Sequence, residues 1–311
     1  MSGFGYNVNG FGSFPSRGPA PVAVQYVVIA GGGGGGYYMA GGGGAGGILT
    51  GTANIEIAVA QQITVGAGGS STYSTDNHGY NGGNSVFTPI GTVTGGGGGG
   101  RGGSNQGPED GRNGGSGGGG GYGGAAGTGV AGPPRQGYNG GVGVSGYAYG
   151  AAGGGAGGTG EGSNSSRPGN GGTGVDINSI IATTSSSYNL VCGGGGGGSA
   201  QGNKRSNANY GGGRGAATSY NSNHDSQSGY GRRGGGGGGG AGTGGSSEGT
   251  TYDYTGGARG GSGSIWLRYP NTHTATFSAG VSINSTTTSG SDIIKHIIEA
   301  GSSDTVTFTV T

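Results

Sequence analysis

Uninterrupted glycine runs are the feature that most limits what this chain can fold into. Glycine accounts for 96 of the 311 residues, about 31%, compared with roughly 7% in ordinary soluble proteins. Ordering one glycine backbone costs on the order of 1 to 2 kcal/mol, whereas one hydrogen bond contributes only about 0.5 to 1.5 kcal/mol. A single run is therefore expected to stay unordered. Order becomes favourable only where several runs lie side by side and each amide and carbonyl finds a partner.

An extended helix with three residues per turn satisfies this condition. Its rise is about 3.1 Å per residue, and neighbouring helices approach closely only where no Cβ intervenes. Runs of six glycines at residues 31–36, 95–100 and 193–198, and of seven at 234–240, would each span roughly 19 Å or slightly more. The sequence therefore predicts a bundle of hydrogen-bonded polyglycine-II helices. Alanines in or beside the runs are expected at the bundle edge, with outward-facing methyl groups: Ala45, Ala151, Ala152, Ala156 and Ala241.

Short β-branched segments accompany the glycine runs. Three of them, residues 22–30, 90–94 and 188–192, lead directly into six glycines. Further strands are predicted at residues 55–59, 62–65, 85–87, 177–182, 264–270, 274–283 and 305–311. Residues 293–298 fit a strand or a short helix, and we predict a strand. The predicted fold class is mainly β or irregular, with a polyglycine-II bundle, a C-terminal antiparallel β segment and almost no α-helix.

The chain divides into three predicted regions. Residues 1–21 form an arm that is expected to dock onto another protein through aromatic side chains placed between glycine and asparagine: Phe4, Tyr6, Phe11 and Phe14. Residues 22–263 form the glycine-rich body. Residues 264–311, which have far fewer glycines, form the C-terminal β segment.

Composition argues against several function classes. Charged residues make up 8% of the chain and the formal net charge is +1, so the basic excess of a dedicated nucleic-acid or membrane-surface binder is missing. No apolar run approaches the roughly 20 residues of a membrane span. The single cysteine, Cys192, excludes an internal disulfide framework and fits a small buried hydrophobe. Residues 1–12 lack the pattern of a secretory signal, so synthesis in a cytoplasm is expected.

Catalytic and cofactor motifs are also unconvincing. Glycine-rich matches to the dinucleotide-binding fingerprint are frequent by chance, and none opens a plausible helix. Neither Lys204 nor Lys295 follows a glycine, so a phosphate-binding loop is not predicted. The four histidines are scattered along the chain. We therefore expect a non-enzymatic protein without cofactor or metal.

The order of these motifs resembles the glycine-rich domain proteins of tailed bacteriophages, including cyanophages, which occur in tail fibres and other virion parts. The resemblance lies in residues 26–36, 43–50, 63–69, 81–87, 171–174 and 261–270. A more distant similarity is to the polyglycine-sandwich adhesins that cap the long tail fibres of T-even-like phages. This chain differs from them in its C-terminal β segment and its aromatic arm.

The resemblance implies a structural virion protein in the phage tail that attaches to the host. Its partners would be other tail proteins together with a host surface glycan or outer-membrane protein, without nucleic-acid binding or membrane insertion. Fibres of this kind are usually trimeric, which makes a homotrimer one option beside a monomer. The receptor, and which end of the bundle is exposed, stay open at this point.

Polar loops between the runs supply the predicted receptor-binding residues. Tyrosine gives contact area at low entropic cost, while serine and asparagine give adaptable hydrogen bonds, and loops on a rigid scaffold commonly carry binding function. Individually, these side chains also fit a simple role in covering lattice edges. The candidates are Tyr73, His78, Tyr80, Tyr210, Tyr220, His224, Tyr230, Tyr252 and Tyr254.

Three other functions compete with the adhesin hypothesis. The first is a purely architectural tail component, whose loops contact only other virion proteins. The second is a disordered nucleic-acid binder using the Arg-Gly-Gly triplets at Arg101, Arg233 and Arg259, although these arginines also fit a role in capping glycine runs. The third is a silk-like or cell-wall fibre, which would favour regular tandem repeats that this chain does not show.

Overall fold

Short β-strands and one single-turn helix frame the glycine runs. The computed structural model describes residues 19–71, 78–103, 110–181, 190–199, 206–208, 211–216, 228–229, 231, 233–238 and 256–311. Before residue 200 the elements are β1 (Val22–Ile29), β2 (Ile48–Ile55), β3 (Gln61–Thr64), β4 (Ser85–Phe87), β5 (Gly91–Val93), β6 (Val175–Asp176), α1 (Asn178–Ile181) and β7 (Leu190–Val191). The C-terminal region adds β8 (Ser264–Pro270), β9 (His273–Phe277), β10 (Ser282–Ser289), β11 (Asp292–Glu299) and β12 (Thr305–Val310). The mainly β fold with almost no helix is confirmed.

Two five-stranded antiparallel sheets combine strands from both ends of the described chain. One sheet has the order β10-β11-β8-β1-β2, and the other has the order β5-β4-β3-β12-β9. In the first, Val27 of β1 lies opposite Thr50 of β2 and Trp266 of β8. In the second, β12 lies between β3 and β9. The C-terminal β segment is confirmed, and its strands complete both sheets.

The two sheets pack against each other around one hydrophobic cluster. Val24 and Ile265 contribute to it from the first sheet, and Phe87 and Phe308 from the second. Phe308 meets Tyr269 edge to face, with ring centroids 5.2 Å apart. Burial of these apolar side chains lowers the free energy of the folded state, and it does so with the few large apolar residues that the chain contains.

The opposite face of the first sheet packs on a second apolar cluster. Here Val27, Ile29 and Trp266 contact residues of α1 and β7. The Trp266 and His296 rings stack with centroids 3.6 Å apart and planes 7° apart. Residues 27–29 of β1 are buried on both faces, and this part of the strand is continuously apolar, as is usual for a strand buried on both sides.

The glycine runs form the predicted polyglycine-II lattice. In residues 31–36 each amide donates to a different neighbouring run from the amides before and after it, with N···O distances of 2.8 to 3.1 Å. The same neighbouring segment is reached at every third residue. The amides of Gly31 and Gly34 donate to the carbonyls of Gly83 and Tyr80. Those of Gly32 and Gly35 donate to Gly261 and Ala258, and those of Gly33 and Gly36 donate to Gly44 and Gly41. A period of three identifies the three-residue turn of this helix.

The carbonyls of the same run point to three further neighbours. Gly31 and Gly34 accept from Gly96 and Gly99, Gly32 accepts from Gly69, and Gly33 accepts from Gly237. Donors and acceptors together give this run six lateral neighbours. Residues 41–47 are surrounded in the same way. Order is therefore a collective property of the bundle, as the entropic cost of glycine requires.

Absence of side chains is a strict requirement at the lattice centre. A Cβ added to Gly43 would lie 2.1 Å from the carbonyl oxygen of Gly33, far inside contact distance. The alanines differ from the prediction, because the four that the structure describes are buried: Ala45, Ala151, Ala152 and Ala156. Ala45 and Ala156 belong to the second apolar cluster, so these methyl groups pack on hydrophobic side chains. Ala241 lies outside the described residues.

At the lateral edges of the lattice, asparagine and aspartate side chains accept hydrogen bonds from main-chain amides in place of backbone carbonyls. The side-chain oxygens of Asn84 and Asn81 accept from the amides of Gly95 and Gly98, both at 2.9 Å. Asp110 and Asn113 do the same for Ala125 and Thr128, at 2.7 and 2.8 Å. In both pairs the side chains are three residues apart, which matches the period of the helix they serve.

Replacing Asn84 with alanine should destabilise the protein by about 1 to 3 kcal/mol, because the buried Gly95 amide loses its acceptor. Asn84→Asp keeps an oxygen in the same place and should retain most of the stability. Denaturant unfolding measures both variants, and amide exchange at Gly95 should accelerate only in the alanine variant. Equal stability of Asn84→Ala and wild type would contradict this role.

Several predicted strand boundaries need correction. The strand predicted at residues 177–182 is wrong, because Asn178–Ile181 form α1, and the Asp176 carboxylate accepts from the Asn178 amide at 2.8 Å. The strand predicted at residues 55–59 is misplaced. The observed strand, β2, covers Ile48–Ile55 and so ends at the first residue of the predicted one. The strand predicted at 274–283 is divided by a turn into β9 and β10. Residues 293–298 lie in β11, so the choice of strand over helix is confirmed.

A buried carboxylate fixes the turn between β9 and β10. Asp304 accepts from the Ser278 hydroxyl at 2.6 Å and from the Gly301 amide at 2.7 Å. These hydrogen bonds, with the Ser278 bond contributing most, hold the pKa of Asp304 below its ordinary value of 3.8. Asp304 therefore ties the turn before β10 to the turn before β12.

Acid should weaken the fold through Asp304. Because the folded pKa lies below the unfolded one, the ionised carboxylate contributes stability above about pH 4, and this contribution is lost as pH falls through the folded pKa. We expect Asp304→Asn to unfold at lower denaturant concentration at pH 7 and to show a smaller fall in stability between pH 5 and pH 2. Urea unfolding across this range tests it, and identical pH slopes for the two proteins would contradict it.

Candidate binding surface at the distal end of the lattice

The glycine lattice has two different ends. Strand β1 leads into residues 31–36, the chain turns at residues 37–40, and residues 41–47 return to β2. The turn at 37–40 is therefore one full run away from the sheets. We call this side of the lattice, opposite the two five-stranded sheets, the distal end.

Four described turns close the lattice at the distal end. They lie at residues 37–40, 122–123, 145–148 and 164–167. Three of them carry tyrosine: Tyr37, Tyr38, Tyr122 and Tyr147. The Tyr122 hydroxyl accepts from the Gly146 amide at 2.8 Å and so joins two of these turns. Tyr147 is 42% exposed, and its carbonyl accepts from the Tyr149 amide at 2.8 Å.

An ion pair lies at this end of the lattice. In the fourth turn, Arg167 and Glu161 form an ion pair at 2.7 Å with both side chains about half exposed. The Arg167 hydrogen bond lowers the pKa of Glu161 from its ordinary value of 4.5. The pair neutralises itself and adds little stability, as exposed pairs usually do. Arg101, which follows the run at residues 95–100, is partly buried.

Two of the predicted receptor-binding residues can be placed. Tyr80 is 49% exposed, while its amide and carbonyl bond Ser70 and Gly34 within the lattice. The Arg112 guanidinium lies 6.0 Å from the Tyr80 ring centroid. His78 is half-buried just before Gly79, whose amide donates to Gly99. Both residues lie in the distal part of the lattice.

The other predicted residues lie outside the described residues: Tyr73, Tyr210, Tyr220, His224, Tyr230, Tyr252 and Tyr254, with the arm residues Phe4, Tyr6, Phe11 and Phe14. For three of the intervening segments, 72–77, 104–109 and 239–255, the described residues on both sides lie at the distal end. Ala258 shows this for the last segment, because it donates to Gly238 and accepts from Gly35.

Sequence reasoning missed Tyr37, Tyr38, Tyr122 and Tyr147 as candidate surface residues. It searched the long polar loops, whereas these tyrosines occupy short turns between glycine runs. One signal could have found them. A strand followed by a glycine run of fixed length carries the chain from the sheets to the opposite end, so the residues directly after the run must lie there.

The candidate metal ligands and the single thiol can be located in the described part of the chain. There, no three His, Cys, Asp or Glu side chains are grouped so that they could hold a metal ion. Cys192 is fully buried in the second apolar cluster, as predicted, and burial raises the pKa of its thiol. Across the same residues, no helix combines the length and apolar character needed to cross a bilayer.

Comparison with known proteins identifies one family. Residues 12–270 match the family model described as a glycine-rich domain. The match covers most of the chain, so the chain belongs to this glycine-rich domain family. Searches of curated proteins and of solved structures give no match.

Proposed function

We propose that this chain is a structural protein of a tailed-phage tail that attaches the virion to its host. The lattice serves as a rigid support, and the distal end meets a surface glycan or an outer-membrane protein. The aromatic arm at residues 1–21 docks the protein onto other tail proteins. The chemistry is non-covalent recognition through tyrosine, asparagine, serine and arginine.

One observation carries the proposal: the distal part of the lattice presents tyrosine side chains on hydrogen-bonded backbone. Tyr80 illustrates the arrangement, since its main chain is hydrogen-bonded on both sides while half of its side chain faces solvent. Binding to such a surface avoids the cost of ordering loops, and that saving favours affinity. Tyrosine adds large contact area with few rotatable bonds.

The sheet end suits the opposite task of connecting the protein to a larger particle. The edge strands are β10 and β2 in one five-stranded sheet and β5 and β9 in the other. Edge strands offer unpaired backbone groups to a neighbouring chain. A tail component needs such an attachment side facing away from its receptor, and the two ends of this molecule differ in this respect.

Adsorption measurements test the proposal. Purified full-length protein should bind host cells at saturable sites and should reduce phage adsorption when added in excess. Particles labelled with an antibody to this chain should show it at the tail in electron micrographs. Labelling at the tail without cell binding would favour the architectural function, and absence from virions would overturn the proposal.

A further inference from the structure

The turn at residues 37–40 uses bulky residues where glycine would fit best. Tyr38 has a φ of 58° and Met39 a φ of 46°, two consecutive left-handed positions. This conformation costs roughly 1 to 2 kcal/mol for a residue with a Cβ. At the other tyrosine-bearing distal turns, Gly123 and Gly146 hold the positive φ. In a chain with 96 glycines, the presence of Tyr38 and Met39 at these positions points to a use for their side chains.

The two side chains have different surroundings. Met39 is only 5% exposed, so it anchors the turn in the lattice end. Tyr38 is partly buried beside Tyr37, and their rings are 6.3 Å apart between centroids with planes 27° apart. The Gly36 amide donates to Gly41 across the turn, and the Gly102 amide donates to Tyr37. These two hydrogen bonds hold the backbone that carries the ring pair.

We propose that Tyr37 and Tyr38 form a stacking platform for a neutral sugar unit of a host surface glycan. This inference rests on the proposed function and names the ligand class at the same surface. A sugar ring has a C–H face that packs on an aromatic face and hydroxyls at its rim that can bond phenol groups.

Charge and size favour a neutral glycan over the alternatives. A polyanionic ligand would require several cations grouped beside the two rings, whereas Arg167 is paired with Glu161, Arg112 lies beside the Tyr80 ring and Arg101 is partly buried. A protein receptor usually buries about 800 Å² on each side, far more than two rings supply. A repeating glycan needs only a small platform, since many copies on one virion add to the total strength of attachment.

The decisive variant is Tyr38→Gly in the full-length protein. It removes one ring and relieves a left-handed strain, so the melting temperature should stay equal or rise while glycan binding falls at least tenfold. Tyr38→Phe keeps the ring and should bind within about threefold of wild type. Tyr138→Ala is the control variant, because Tyr138 lies near the sheet end of the lattice, where the Arg135 guanidinium carbon is 4.4 Å from its ring centroid. This variant should leave glycan binding unchanged.

Binding is measured on an array of neutral and acidic bacterial surface polysaccharides and then by calorimetry with the strongest neutral one. The inference is overturned if no neutral polysaccharide binds or if Tyr38→Gly binds as well as wild type. Cell adsorption separates the two proposals. Equal adsorption of wild type and Tyr38→Gly overturns the sugar platform and leaves host attachment standing, whereas absence of adsorption by wild type removes both.

Discussion

Replacing Gly43 with alanine should destabilise the protein by more than about 3 kcal/mol, from the addition of a single methyl group. The new Cβ would lie 2.1 Å from the oxygen and 2.6 Å from the carbon of the Gly33 carbonyl, and 2.8 Å from the Gly34 oxygen. All three atoms belong to the backbone of a neighbouring run, so no rotation of a side chain can make room.

Separation of the two runs would break bonds on several sides of Gly43. Its amide donates to Gly237 at 2.8 Å, its carbonyl accepts from Gly195 at 2.9 Å, and the adjacent Gly44 carbonyl accepts from Gly33 at 2.8 Å. Each buried group left without a partner costs about 1 to 3 kcal/mol. Denaturant unfolding, together with amide exchange across residues 31–47, measures the effect.

Gly132→Ala provides the matched control for this change. It adds the same methyl group, but no heavy atom lies within 4 Å of the new position. Its effect should stay within about 0.5 kcal/mol. If Gly43→Ala were as mild as Gly132→Ala, residues 31–36 and 41–47 would not be in lateral contact, and the lattice would lose its support.

The lattice itself could be predicted because its requirement is local. Runs such as residues 31–36 and 95–100 contain nothing but glycine, and only close lateral packing gives such runs a stable structure. The choice of neighbours could not be predicted for the same reason. Identical runs carry no information about which of them lie side by side, so pairing depends on turns and on strands far away in the sequence.

The asparagines at the lattice edge carry a sequence signal for their role in accepting hydrogen bonds from a glycine run. Asn81 and Asn84 were noted only as parts of a motif, although their separation of three residues is the period of the helix whose amides they satisfy. The strand at residues 177–182 failed for another reason. Apolar residues such as Ile180 and Ile181 suit either conformation, and the hydrogen bond that Asp176 accepts from the Asn178 amide at the start of α1 depends on the folded turn.

The sequence predicts the residue type of the candidate surface, tyrosine, but only some of the positions that form it. Tyrosine-bearing segments were expected to form it, and Tyr80 is indeed exposed in the distal part of the lattice. Tyr37 and Tyr38 were passed over because short turns between glycine runs resemble simple connections. Their left-handed backbone cannot be deduced from composition, since glycine is the expected residue at such positions.

Replacing Phe308 with alanine should cost about 3 to 5 kcal/mol, which tests whether the C-terminal strands stabilise the whole molecule. Phe308 is fully buried, and its ring packs edge to face on Tyr269. The neighbouring Thr309 is exposed on the same strand, so Thr309→Ala should cost less than about 1 kcal/mol. Because β12 lies between β3 and β9, amide exchange in Phe308→Ala should accelerate in β3, which precedes it by more than 200 residues. Faster exchange confined to residues 264–311 would show that the glycine-rich body folds without this segment and that the lattice does not depend on the core shared by the two sheets.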